Sequence, residues 1–257
     1  MKVRIINKKL IWGIGLLVIV AAVIVIIRPV SDGLISSVLK LTGTDVILID
    51  PGHGGIDGGA SSDSGVIEKE VNLSIAFYIK ELAEADGWKV VMTREEDIGL
   101  GDREDRTIRS RKTADLIARR EIIKEIKPTL AVSIHLNSFK QDRSVRGAQT
   151  FYPSGPGEEA VLEECKMLAK TIQEQLTAGI GDGSDRAALA KRDVLMFKNP
   201  TVPMVLIECG FLSNPEEAEL LGQEEYQRKL AKCIYKGIML YTGKEPKEPI
   251  RFIDSRG

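Results

Sequence analysis

The sequence predicts a single α/β domain with a mostly parallel, twisted sheet covered by helices, preceded by one N-terminal transmembrane helix. From residue 45 onward, apolar runs of strand length alternate with segments of helical periodicity. The length, 257 residues, and a composition 43% hydrophobic and 28% charged suit one globular domain plus an appendage. The appendage is an uncharged apolar run at the extreme N-terminus, behind a basic cluster.

Lys2, Arg4, Lys8 and Lys9 precede "LIWGIGLLVIVAAVIVII", residues 10–27. As a helix rising about 1.5 Å per residue this run extends about 27 Å, close to the roughly 30 Å hydrocarbon core of a bilayer. It has no polar face, which speaks against a buried core helix. Four cations before it and only Arg28 just after place residues 1–9 in the cytoplasm and the rest outside. No small-x-small cleavage site follows, so a retained anchor is expected rather than a cleaved signal peptide. Residues 28–44 contain Pro29, Gly33 and Gly43 and read as a linker; residues 45–243 are the expected folded domain.

"DVILID" (45–50) is a short buried strand, and "EKEVNLSIAFYIKELAEA" (68–85) a helix with Val71, Ile75, Ile79 and Leu82 on one face. "WKVVMT" (88–93) is a strand, residues 109–127 a helix, and "TLAVSIHL" (129–136) and "AQTFYP" (148–153) are strands. A helix follows over 158–178, then the strand "VPMVLIEC" (202–209) and two short helices to about residue 241. The tail "KEPKEPIRFIDSRG" (244–257) is polar and expected to be loose. There is no internal repeat or low-complexity block, hence no tandem repeat modules.

Composition removes several function classes. A net charge of −1 provides no general attraction to nucleic acid or anionic lipid. Three widely spaced cysteines, Cys165, Cys209 and Cys233, make neither a disulfide framework nor a zinc-finger array, and are expected as buried thiols.

Three predicted strands end in unusual polar residues: "DPGH" (50–53), "SIHLNS" (133–138) and "IECG" (207–210). Ligand sites of open α/β sheets form beyond the carboxyl ends of the strands, so His53, His135 and Glu208 converge at one edge. The first two are the only histidines of the chain. Imidazole is the commonest protein ligand for zinc, and a catalytic zinc site needs three protein ligands with one open position. The third should be a carboxylate. Glu68, opening the first helix behind the loop "GGIDGGASSDSG", competes with Asp57, Asp63 and Glu70, and helix-dipole stabilisation explains it equally well. Glu208 suits a general base toward a metal-bound water, the alternative being an ion pair with Arg94 or Arg119. Cys209 alternates to the opposite face of its strand, which speaks against a cysteine–histidine nucleophile.

"IDPGHGGIDGG", "EKEVNL", "VSIHLNS" and "LIECGFLSN" resemble the four signature segments of the zinc-dependent N-acetylmuramoyl-L-alanine amidases of the amidase-3 family, in the family's order. The resemblance runs from about residue 46 to 241. It implies His53, Glu68 and His135 as zinc ligands, which singles out Glu68 among the carboxylates, and Glu208 as the catalytic glutamate. Cys209 departs from the aliphatic residue usual there. "SRKTADL", "GAQTFYP", "YQRKLAKCIYKGIMLY" and the single-domain layout are similar to the spore-cortex, germination-specific amidases of endospore formers. That implies a peptidoglycan substrate, a membrane-tethered extracytoplasmic enzyme in the forespore, and a muramic-acid deacetylase acting next to form muramic δ-lactam. No regulatory partner is specified. A vegetative wall or division amidase, a zinc peptidoglycan peptidase and a non-catalytic tethered binding module are the alternatives.

Overall fold

The apolar runs over 46–51, 130–137 and 204–211 form the centre of one sheet because they are buried on both faces, as strands of helix-covered parallel sheets are. The computed structural model describes residues 45–101 and 107–247; the expected anchor at 10–27, the linker and residues 248–257 lie outside them. Among the described residues no helix is long and apolar enough to cross a membrane.

Six strands, β1 (Val46–Pro51), β2 (Lys89–Met92), β3 (Leu130–Asn137), β4 (Gln149–Pro153), β5 (Leu189–Lys191) and β6 (Met204–Phe211), lie in the order β2-β1-β3-β6-β4-β5. β2, β1, β3 and β6 run parallel; β4 joins β6 antiparallel, and β5 runs parallel to β4. The helices are α1 (Glu68–Ala85), α2 (Ile108–Ile126), α3 (Glu159–Ile180), α4 (Pro215–Leu221) and α5 (Glu224–Thr242).

Alternation divides the core. Ile47, Ile49, Val132, Ile134, Val205 and Ile207 point to the face covered by α1, α3 and α5. Leu48, Ala131, Met204 and Leu206 point to the other, under Ile123 of α2 and the 3₁₀ turn at Leu195–Phe197. α1 buries Val71, Ile75 and Ile79, each worth about 1.5–3 kcal/mol on removal from water.

Several helix ends are set by sequence. Thr107 caps α2 by accepting from the Ser110 amide, and Lys127 closes it in the left-handed region before Pro128. Asn214 caps α4 with Pro215 in its first turn.

Two expectations about elements are revised. The last helix is not short: α5 spans 19 residues and packs against both α1 and α3. β5 and the 3₁₀ turn carry no run long enough to predict. The start of the polar tail is also held, because Lys244 pairs with Asp45 at 2.6 Å and its ammonium lies 3.8 Å from the centroid of Trp88.

Candidate metal centre and active site

The C-terminal edge of the sheet gathers the polar residues in a row. Gly52 N donates to the Ile134 carbonyl at 2.9 Å, extending the β1–β3 ladder past β1. His135 pairs in register with Glu208, and Glu208 with Gln149. His135, Glu208 and Gln149 therefore stand side by side on one face.

α1 begins where the glycine-rich loop closes on itself, through bridges between Gly54 and Asp57 and between Ser61 and Ile67. Glu68 is its first residue, but its carboxylate does not cap the helix. Oε2 accepts from the Ala60 amide at 2.7 Å, and Oε1 from the Leu136 amide at 3.0 Å. The same Oε1 lies 3.0 Å from His53 Nε2 and 3.1 Å from His135 Nδ1. The two imidazoles meet edge to face with centroids 5.0 Å apart. One ligand atom from each of His53, Glu68 and His135 lies within 4.8 Å of the others, a group that can hold a metal ion.

Two glycines make this convergence possible. A Cβ on Gly52 would lie 2.2 Å from the His135 ring, and one on Gly59 2.5 Å from the Glu68 carboxylate. Gly59 also has φ +69, in the region where side chains are strained.

The other carboxylates of the loop sort themselves. Asp57 accepts from His53 Nδ1 at 2.9 Å, which directs Nε2 toward Glu68. Asp63 is exposed and pairs with Arg143 at 2.5 Å, and Glu70 is exposed. Glu208 is not paired with Arg94 or Arg119. Arg119 is buried against Asp50 at 2.7 Å, and Arg94 donates to the Pro51, Gly52, Lys69 and Glu96 carbonyls. Glu208 Oε2 is buried with no hydrogen-bond partner.

Electrostatics separate the two glutamates. Burial alone would raise the Glu68 carboxyl, but hydrogen bonds and charge from His135 and His53 outweigh it and hold it well below the usual carboxylate range. Burial pushes Glu208 up, and the charge of Glu68 adds to the push against His135, Lys191 and His53. One site thus holds a committed anion beside a carboxyl poised to take a proton. Cys209 is fully buried, its thiol far above its ordinary value through burial, and it takes no part.

The residue pattern places both histidines and Glu208 at this edge and the family resemblance adds Glu68; all four are there. The pattern does not give the supporting roles of Gly52, Gly59 and Asp50, and it offers Arg94 and Arg119 only as ion-pair partners of Glu208. The signal for Asp50 was available, since a carboxylate ending a fully apolar strand requires buried partners. It has them in Arg119, Ser133 (2.6 Å) and Thr93 (2.6 Å).

Comparison with known proteins agrees with this geometry. The N-acetylmuramoyl-L-alanine amidase family profile matches residues 47–239. The germination-specific N-acetylmuramoyl-L-alanine amidase of Bacillus subtilis (strain 168) is 39% identical over 203 residues, covering 79% of this chain and 81% of that protein. AmiA of Escherichia coli (strain K12) is 28% identical over 246 residues, covering 79% and 78%. Among solved structures, the CwlD amidase from Clostridioides difficile, in complex with the GerS lipoprotein, superposes with a TM-score of 0.72. It is 40% identical, over 77% of this chain and 98% of that one. Fold, edge geometry and sequence thus converge on one assignment: the chain belongs to the amidase-3 family and is an N-acetylmuramoyl-L-alanine amidase.

Proposed function

We propose that the chain is a zinc amidase of the spore cortex, with His53, Glu68 and His135 as metal ligands and Glu208 as the proton-transfer residue. The observation that carries the chemistry is the meeting of two imidazoles and a carboxylate beside a buried carboxyl oxygen that lacks a partner. The donor set fits zinc. Vertices of a tetrahedron with arms of about 2.0–2.1 Å are about 3.3 Å apart, near the 3.0 and 3.1 Å separating the histidine nitrogens from Glu68 Oε1.

His53, Glu68 and His135 would hold the zinc, which would supply Lewis-acid activation of the scissile carbonyl and of the attacking water. Glu208 takes a proton from the attacking water and passes it to the departing alanine nitrogen. Its burial-raised affinity for the proton suits the first transfer, and its place beside His135 keeps it near the reacting atoms. Asp57 holds the His53 ring in one tautomer. The bond broken joins the lactyl group of muramic acid to L-alanine, freeing a carboxylate and an intact stem peptide.

The cortex assignment is supported by the germination-specific relative, which aligns over most of its length. Residues 10–27 tether the domain outside the membrane, and in a forespore that tether delivers it to nascent cortex. A muramic-acid deacetylase then acts on the product to form muramic δ-lactam. The complex of the C. difficile relative with the GerS lipoprotein supports a lipoprotein partner for this chain as well. Deleting the gene should leave growth and division normal and yield spores whose cortex lacks muramic δ-lactam and which germinate poorly. Chained vegetative cells with unchanged cortex chemistry would make the chain a division amidase instead.

A further inference from the structure

α2 donates no atom to the candidate metal group, yet one of its faces is turned toward the His53 loop. Lys112, Asp115 and Arg119 are three and four residues apart and so share that face. Lys112 Nζ lies 2.6 Å from Asp57 Oδ1, while the other oxygen of Asp57 accepts from His53 Nδ1 at 2.9 Å. Arg119 reaches the backbone of the same histidine. Its Nη2 donates to the His53 carbonyl at 2.7 Å and its Nη1 to the Pro51 carbonyl at 2.7 Å. Asp115 orients that guanidinium at 2.5 Å and accepts from the Leu100 amide at 2.7 Å.

His53 needs such support. Its φ is +63°, a conformation that a residue with a side chain keeps only where its surroundings enforce it. Holding the carbonyl fixes the backbone, and holding Asp57 fixes the ring. Removing either restraint leaves the imidazole free to turn away from Glu68 and His135.

We propose that the inner face of α2 is the positioning pedestal of the metal site: Lys112 acting through Asp57, and Arg119 acting on the backbone, together set metal affinity. The proposal rests on the reading of His53 as a ligand. Lys112 separates positioning from mere structure. Its side chain is 48% exposed, so its loss opens no core cavity. Exposed ion pairs contribute little to stability, whereas partners behind a ligating histidine typically change metal affinity about 10–100-fold.

The test is zinc affinity of the full-length protein, measured by competition with a chelator, alongside the thermal midpoint of the metal-free form. Asp57→Asn should weaken zinc binding about 10-fold. Lys112→Met should weaken it several-fold with the metal-free midpoint unchanged, and Lys112→Arg should restore it. The double variant Asp57→Asn/Lys112→Met should bind no more weakly than Asp57→Asn alone, because both act along one path. Unchanged affinity in Lys112→Met, or additive losses in the double variant, would overturn the pedestal while leaving the ligands in place. Equal zinc in wild type and His53→Ala would instead remove the ligand reading, and the pedestal with it.

Discussion

Glu68 and Glu208 are the same residue type beside the same histidine, and environment pushes their carboxyls in opposite directions. Glu68 accepts from two backbone amides and lies against two imidazoles, which stabilise its anion. Glu208 has a buried oxygen without a donor, so its neutral form gains. Replacing Glu208 by glutamine keeps the shape and removes the ability to take a proton. Glu208→Gln should retain fold and zinc while losing on the order of 10²-fold or more in rate, read by release of stem peptide from peptidoglycan. Loss of zinc together with activity would make Glu208 a ligand. The histidines and Glu208 were legible because the chain has only two histidines, which with Glu208 fall at strand ends, whereas Glu68 was singled out only by the family resemblance. Asp57 was less so. Spacing ranks it as a rival ligand to Glu68, and only the folded loop shows that it bonds the far nitrogen of His53.

The elements that carry the site are tied together by a buried charge pair. Asp50 at the end of β1 and Arg119 on α2 are each 1% exposed, and such pairs are costly to break, about 3–5 kcal/mol when one partner is removed. Burial opposes ionisation of Asp50, but Arg119, Ser133 and Thr93 outweigh it and hold its carboxyl below the ordinary value of 3.8. A carboxyl depressed in this way binds fewer protons folded than unfolded. Its stabilisation is complete above about pH 4 and is lost as pH falls further. Asp50→Asn should therefore be destabilised relative to wild type at neutral pH, with a gap that narrows below about pH 4. A gap that stays constant in denaturant unfolding from pH 7 to pH 3 would remove Asp50 from this role. At this scale the long, periodic segments were readable, and the three-residue β5 was not, because its pairing with β4 is decided by tertiary contact. α5 was underestimated for a related reason. Its buried stripe, which includes Leu230, Ile234 and Ile238, gains its length from packing on α1 and α3.

For the whole molecule, the mostly parallel sheet gathers β1, β3 and β6 at one edge, and loops from three distant stretches of sequence become one site. The alternation of strands and helices was enough to predict that edge, because ligands of such sheets bind beyond their carboxyl ends. The antiparallel insertion of β4 beside β6 was not predictable from pattern, yet it brings Gln149 next to Glu208. The ligand atoms of His53, Glu68 and His135 gathered at that edge form a group that can hold one metal ion, so metal content is the most direct test. Purified wild-type protein should carry about one zinc per chain and His135→Ala should lose most of it; equal zinc in the two proteins would contradict the assignment.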